Sequence, residues 1–276
     1  MSHFSFLFKA YLAFMIFFLL APVLIVVAVA LTPGDFVTFP PPSLSLRWFN
    51  KVLSDPQFLL PLWNSFRLGC VSTFVSMILA VPAAIAMVRY PVRGLREIQM
   101  FLLSPLSLPT IILATGLLFF VPKIGIESSF LALIVGHTVI IVPYIMRTVF
   151  SVYVNANQEI EYAAAVHGAG PLRTFWYVTL PLIRPGILAG AIFAFLMSFD
   201  EVAVSLLLTN TDTTTLPVML LSYLVYNYDP AVAAISTVQI FVVIVALLLL
   251  ERIFGIGNMM FASRESQYEN NQSKRA

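Results

Sequence analysis

The chain has 276 residues, 60% hydrophobic and only 10% Asp, Glu, Lys or Arg, with a mean hydropathy of +0.94. Soluble domains carry about 25% charged residues, so this composition cannot cover a water-facing surface and excludes a soluble protein. The net charge of +2 is too mild to imply a nucleic-acid partner, and three histidines with one cysteine, Cys70, exclude an intrachain disulfide and argue against a metal site.

Crossing a hydrocarbon core of about 30 Å takes about 20 apolar residues. Six runs qualify, at about 10–31, 64–88, 98–121, 129–149, 185–208 and 231–256. They predict an all-α membrane protein with a short N-terminus (1–9), one membrane domain (10–256) and a polar tail (257–276) whose composition reads as disordered. The Ala-Val-Ala before Leu31 imitates a signal-peptidase site, but an apolar run of about 22 residues exceeds a signal core and reads as an anchor. Basic residues set the orientation. One set of connections holds Lys9, Arg89, Arg93, Arg96, Arg147, Arg173, Arg184, Arg252, Arg264, Lys274 and Arg275, the other only Arg47, Lys51, Arg67 and Lys123. Both termini are therefore expected in the cytoplasm. Pro22, Pro82, Pro105, Pro109, Pro143 and Pro185 lie in or beside the runs, as kinks or as functional breaks.

The polar interruption at about 155–184 falls on the cytoplasmic side of this scheme. Gln158–Val166 reads as a helix with Glu159 and Glu161 in its first turns, where carboxylates suit the positive end of the dipole. Gly168 and Gly170 suit a left-handed turn, and Pro171 suits the first position of a second helix, Leu172–Val178. That helix offers Leu172, Phe175, Trp176 and Leu180 as a bulky apolar set, and Pro181 and Pro185 are expected to stop it before the fifth run. A helix pair displaying aromatics is a protein-docking knob or an amphipathic segment on the lipid surface.

The stretch "AAAVHGAG…VTLPLIRPG" resembles the EAA loop of ABC-importer permeases, with Ala163, Ala164, Gly168, Leu180 and Pro181 on the motif. Tyr162 stands where the motif has its leading Glu, and Glu161 lies one residue earlier, a shift of about 100° on a helix. Gly136–Tyr153 ("GHTVIIVPYIMRTVFSVY") and Met197–Leu208 ("MSFDEVAVSLLL") are similar to the fourth and fifth helices of spermidine/putrescine permeases, most of all the PotC-type subunit. The resemblance implies six membrane helices of the type I importer kind in a bacterial inner membrane. It also implies a second permease subunit, expected to be a different chain, two cytoplasmic ATPase subunits and a periplasmic binding protein. Glu159, Glu161, Tyr162, Ala163, Ala164, Gly168, Phe175, Leu180 and Pro181 would then couple the loop to the ATPase. The chain itself lacks G-x-x-x-x-G-K-[ST], so ATP and magnesium are expected on the partner and no cofactor on this chain.

Asp200 and Glu201 lie inside the fifth run, where a carboxylate costs about 2.5–3.5 kcal/mol at the bilayer centre. They line a path, which would favour a cation, or bond to a neighbouring helix. In the polyamine group an acid is expected after the proline of the third span, and Thr110 follows Pro109 here. The substrate expected is a polyamine such as putrescine or spermidine. An amino acid, an opine, a 4-aminobutyrate-like compound or an aminophosphonate is the alternative. Tyr223, Tyr226 and Tyr228 offer ring faces to an ammonium or anchor at the interface. Pro40–Pro42 with Arg47, Trp48 and Phe49 is a candidate contact for the binding protein. His137 is expected to be packed and hydrogen-bonded, His167 to cap a helix end and Cys70 to pack. Two rival classes are weaker: no nucleophile or metal constellation supports a membrane enzyme, and no internal repeat supports an ion-coupled carrier.

Overall fold

The computed structural model describes residues 2–90, 93–127 and 129–254. The tail 257–276, with Arg264, Lys274 and Arg275, lies outside the described residues, as does Ile256. Among the described residues every regular element is helical. In chain order come α1 (Ser2–Ala30), α2 (Arg47–Ser54), α3 (Pro56–Arg89), α4 (Leu95–Leu103), α5 (Thr110–Lys123) and α6 (Ser129–Val154). Then follow α7 (Glu159–Val166), α8 (Pro171–Thr174), α9 (Leu180–Phe199), α10 (Ala203–Leu208), α11 (Leu216–Tyr226) and α12 (Ala231–Phe254). By length and composition five helices can cross a bilayer, or six if a bent pair is one span.

That pair is the third predicted run. Instead of one helix over 98–121, α4 passes through a 3₁₀ turn at Ser104–Ser107 and meets α5 at an angle of 107°. Leu108 is extended and Pro109 precedes the first residue of α5, because a residue before proline is pushed out of the helical region.

The chain divides into two compact units. One comprises Met1–Trp63 with Thr215–Ile244. Its core gathers Trp48, Val52, Phe58, Leu216, Tyr223 and Ile235. Most of α1 is exposed, as suits a helix apolar all round that faces lipid or another protein. The second unit comprises Asn64–Thr214 with Val245–Ala276. It is centred on α6 packed along α9, with α10 lying on α5. On α6 the buried positions Leu133, His137, Ile141, Ile145, Val149 and Tyr153 recur every fourth residue, forming one helical face. Gly186 and Gly190 of α9 meet that face backbone to backbone. A Cβ on Gly186 would lie 2.9 Å from the Thr148 carbonyl oxygen, and one on Gly190 2.8 Å from Ile145 Cα.

A second expectation also changes. Pro181 and Pro185 do not stop the loop's second helix: Pro171–Phe199 is one helical stretch of 29 residues. It widens to a π-helical turn at Phe175–Thr179, directly before the prolines. Proline removes a backbone donor and crowds the preceding turn, and a wider turn accommodates that without ending the helix. Gly170 has an extended backbone and caps α8, so of the two glycines only Gly168 is left-handed.

Candidate functional site

The polar interruption folds as the helix-turn-helix expected from its caps. Gly168 has φ +82°, and the turn closes by two hydrogen bonds past the end of α7: Gly168 N–H to the Ala165 carbonyl (2.9 Å) and Ala169 N–H to that of Ala164 (3.0 Å). This is the Schellman pattern, which favours glycine at the left-handed position. His167 caps the same end, its Nδ1 donating to the Ala163 carbonyl at 2.8 Å.

The turn displays apolar side chains outward. Val166 is 86% exposed and Leu172 76%, with Tyr162, Trp176 and Tyr177 exposed beside them. Ala163, Glu159 and Pro181 are exposed, and Leu180 packs against the main core. Tyr162, at the position of the motif Glu, points outward and accepts a hydrogen bond from Gln158 Nε2 at 2.8 Å.

Glu161 faces the other way. Its Oε2 lies 2.7 Å from Arg89 Nη2 and accepts from Arg89 Nε at 2.8 Å. Its Oε1 accepts from Tyr153 at 2.7 Å and from Thr179 at 2.5 Å. Arg89 also stacks over the Tyr153 ring at 4.1 Å. The Arg89 and Glu161 side chains are 14% and 12% exposed. Removing one partner of so buried a pair strands the other, at about 3–5 kcal/mol. Burial alone pushes the Glu161 carboxyl up, but bonds from Thr179 and Tyr153 and the Arg89 charge outweigh it and hold the carboxyl below its ordinary 4.5. A depressed carboxyl contributes stability above its unfolded pKa and loses it as pH falls through the folded one. The thermal midpoint of the wild-type complex should therefore exceed that of Glu161→Gln by a constant margin above about pH 5, a margin that shrinks toward zero at lower pH. A margin independent of pH would show that the charge of Glu161 contributes nothing.

The substrate-path candidates are placed differently from expectation. α9 ends at Phe199 and α10 starts at Ala203, so Asp200 and Glu201 sit at a helix break, not inside a continuous span. Asp200 is exposed. Glu201 is 9% exposed and its Oε1 accepts from the Ala203 and Val204 N–H groups at 2.9 and 3.3 Å, capping α10. His137 bridges this break, with Nδ1 2.8 Å from Ser198 Oγ and Nε2 3.1 Å from Ser205 Oγ. Thr110 opens α5, half-buried. Tyr223 belongs to the other unit and is buried in its core. Its hydroxyl donates to Asp229 Oδ2 at 2.9 Å, and Lys51 bonds both Asp229 (3.1 Å) and Tyr223 (3.4 Å). Tyr226 and Tyr228 are exposed, Trp48 is buried with its Nε1 on the Gly34 carbonyl, and Cys70 is exposed instead of packed. Among the described residues no three His, Cys, Asp or Glu side chains group as a metal site.

A loop with the motif's caps, in a chain with five or six helices long and apolar enough to cross a membrane, agrees with a direct match. Residues 70–256 fit the family of binding-protein-dependent transport system inner membrane components. The chain belongs to this family. Within the binding-protein-dependent transport family it is 26% identical over 227 residues to the putrescine transport system permease protein PotI of Escherichia coli, covering 80% of each chain. It is 29% identical over 241 residues to the molybdenum transport system permease protein ModB of Mycobacterium tuberculosis, covering 80% of this chain and 89% of that one. Its fold matches a chain of a bacterial ABC transporter that imports the polysaccharide alginate, with a TM-score of 0.69, 17% identity and coverage of 92% and 97%. The chain is thus an inner-membrane permease component of the ABC-importer type, and not a soluble or β-structured protein. Sequence reasoning missed Arg89, Tyr153 and Thr179 as partners of Glu161. The signal was there: Arg89 ends an apolar run on the same predicted side as Glu161, in a chain with few charges.

Proposed function

We propose that the chain is one of two permease subunits of an ATP-driven importer for a small cationic amine, a polyamine such as putrescine or spermidine. Both termini and the α7–α8 turn face the cytoplasm. The observation that carries the substrate reading is the break after α9, which leaves the carboxylate of Asp200 exposed while Glu201 is tied to a helix end. A fixed anionic group in a path attracts a cation, and the similarity to a putrescine permease supports the same sign of charge. The exposed apolar turn around Val166 and Leu172 is the surface on which a cytoplasmic ATPase docks, since exposed apolar clusters of this kind mark interaction sites. ATP and magnesium bind to that partner, and a periplasmic binding protein delivers the solute. Thr110 favours a second reading, a zwitterion such as an amino acid, opine, 4-aminobutyrate-like compound or aminophosphonate, because no acid follows Pro109.

The test is ATP-dependent uptake of labelled putrescine by the whole complex in proteoliposomes, challenged with spermidine, 4-aminobutyrate, an aminophosphonate and molybdate. Competition by spermidine alone is expected. No uptake of labelled putrescine, with ATP-dependent uptake of a labelled zwitterion or of molybdate instead, overturns the polyamine assignment.

Coupling has its own test. Gly168→Val forces a β-branched residue to φ +82°, which costs about 1–2 kcal/mol or more in the left-handed region. The variant should insert and assemble but transport less solute per ATP hydrolysed, by about tenfold. A wild-type ratio would remove the turn from the coupling step.

A further inference from the structure

We propose that Arg89, Tyr153, Glu161 and Thr179 form the brace through which the α7–α8 turn moves α3 and α6, with Arg89 and Glu161 as positioning residues for coupling. The inference rests on the proposed role of that turn as the element an ATPase displaces.

Buried apolar packing does not hold the turn. Neither α7 nor α8 contributes a single buried residue. Behind them lies a cleft of about 430 Å³, lined by Arg89, Tyr90, Glu161, Ala169, Phe175 and Thr179 among others, so no filled apolar core fastens the pair there. What does cross the gap is polar and short. Arg89 is the last residue of α3, Tyr153 the last but one of α6, and Thr179 the end of the π-helical turn. All three converge on one carboxylate, Tyr153 and Thr179 on Oε1 and Arg89 on Oε2. Arg89 Nε donates to the Tyr153 hydroxyl as well, at 3.0 Å. The hub therefore links three elements to α7 at a single atom group, and a displacement of α7 reaches the ends of α3 and α6 without slack. Charge-assisted hydrogen bonds of this kind are short and directional. The departure from the motif acquires a use. Moving the carboxylate from position 162 to position 161 turns it by about 100°, from the outward face that Tyr162 occupies to the inward one.

A merely structural pair would affect folding and leave transport per ATP untouched, so that ratio is the readout. Uptake and ATP hydrolysis are measured together on the whole complex in proteoliposomes for Arg89→Glu, Glu161→Arg and the double exchange. Each single reversal should lower uptake per ATP by at least about tenfold while hydrolysis continues, and the double exchange should restore it to within about threefold. Should the reversals fail to assemble, Arg89→Lys and Glu161→Gln are read in the same assay, because they keep size while losing the fork or the charge. Either a wild-type ratio in the singles and in these two conservative variants, or no recovery on exchange, overturns the brace. Gly168→Val separates the underlying reading. If it too keeps the wild-type ratio, the turn does not couple and it is that reading which falls; if it uncouples while the brace variants do not, only the brace is wrong.

Discussion

Gly186→Val is expected to leave no folded permease. A Cβ at this position meets the Thr148 carbonyl oxygen at 2.9 Å and Val149 Cα at 3.0 Å, both backbone atoms of α6. A side-chain clash can be relieved by a change of rotamer, but a backbone clash can be relieved only by parting the two helices. Overpacking typically costs about 1–3 kcal/mol where side chains can adjust, and here the cost should exceed that range, because the atoms met are backbone atoms of α6 that cannot change rotamer. Membrane helices associate mainly by close van der Waals packing at small residues, so lost approach is not replaced by a hydrophobic gain. The check is the yield of monodisperse protein and its thermal midpoint in detergent. Gly116→Val serves as the control, since a Cβ on Gly116 meets nothing within 4 Å. Equal yields for the two variants would mean that α6 and α9 do not approach as closely as described.

Asp200 and Glu201 should part company when substituted. Asp200→Asn removes an exposed charge and should lower putrescine uptake by about tenfold or more at an unchanged thermal midpoint. Glu201→Ala removes the acceptor for two N–H groups at the start of α10, a loss worth about 1 kcal/mol for a helix cap. For a chain of this size that lowers the midpoint by about 2–4 °C, and Glu201→Gln, which keeps an acceptor, should recover most of it. Normal uptake by Asp200→Asn would remove that carboxylate from the path. A full loss of uptake in Glu201→Gln at wild-type stability would move the path to the neighbouring residue.

Much of the architecture was legible in composition and run length, because a bilayer imposes a minimum length on any apolar helix. The starts and ends of the loop helices were legible too, since Gly168 and Pro171 act locally through their own backbone angles. What failed was punctuation by proline. Pro109 marks a true break and Pro181 and Pro185 do not, and nothing local separates the cases: the difference lies in the π-helical turn that accommodates the latter two. Residue direction was the other gap. Glu161 turns inward because Thr179 and Arg89 wait there, 18 and 72 positions away in the chain. Such partners emerge only once the helices are in place. The same holds for Tyr223, whose hydroxyl is claimed by Lys51 and Asp229, and for Asp200, whose surroundings depend on where α9 stops.

The continuity of Pro171–Phe199 has a mechanical consequence. At 1.5 Å per residue, its 29 residues make a rod of about 44 Å, with the α7–α8 turn at one tip and Asp200 just beyond the other. A rod has no gearing: with α6 in backbone contact at Gly186 and Gly190, a tilt applied at Pro171 would pivot there and be delivered at Phe199. The π-helical turn at Phe175–Thr179 is where the shaft departs from α-helical winding. Straightening it by deleting a residue would rotate the tip at Pro171 by about 100° relative to Phe199, changing the stroke without touching either end of the lever.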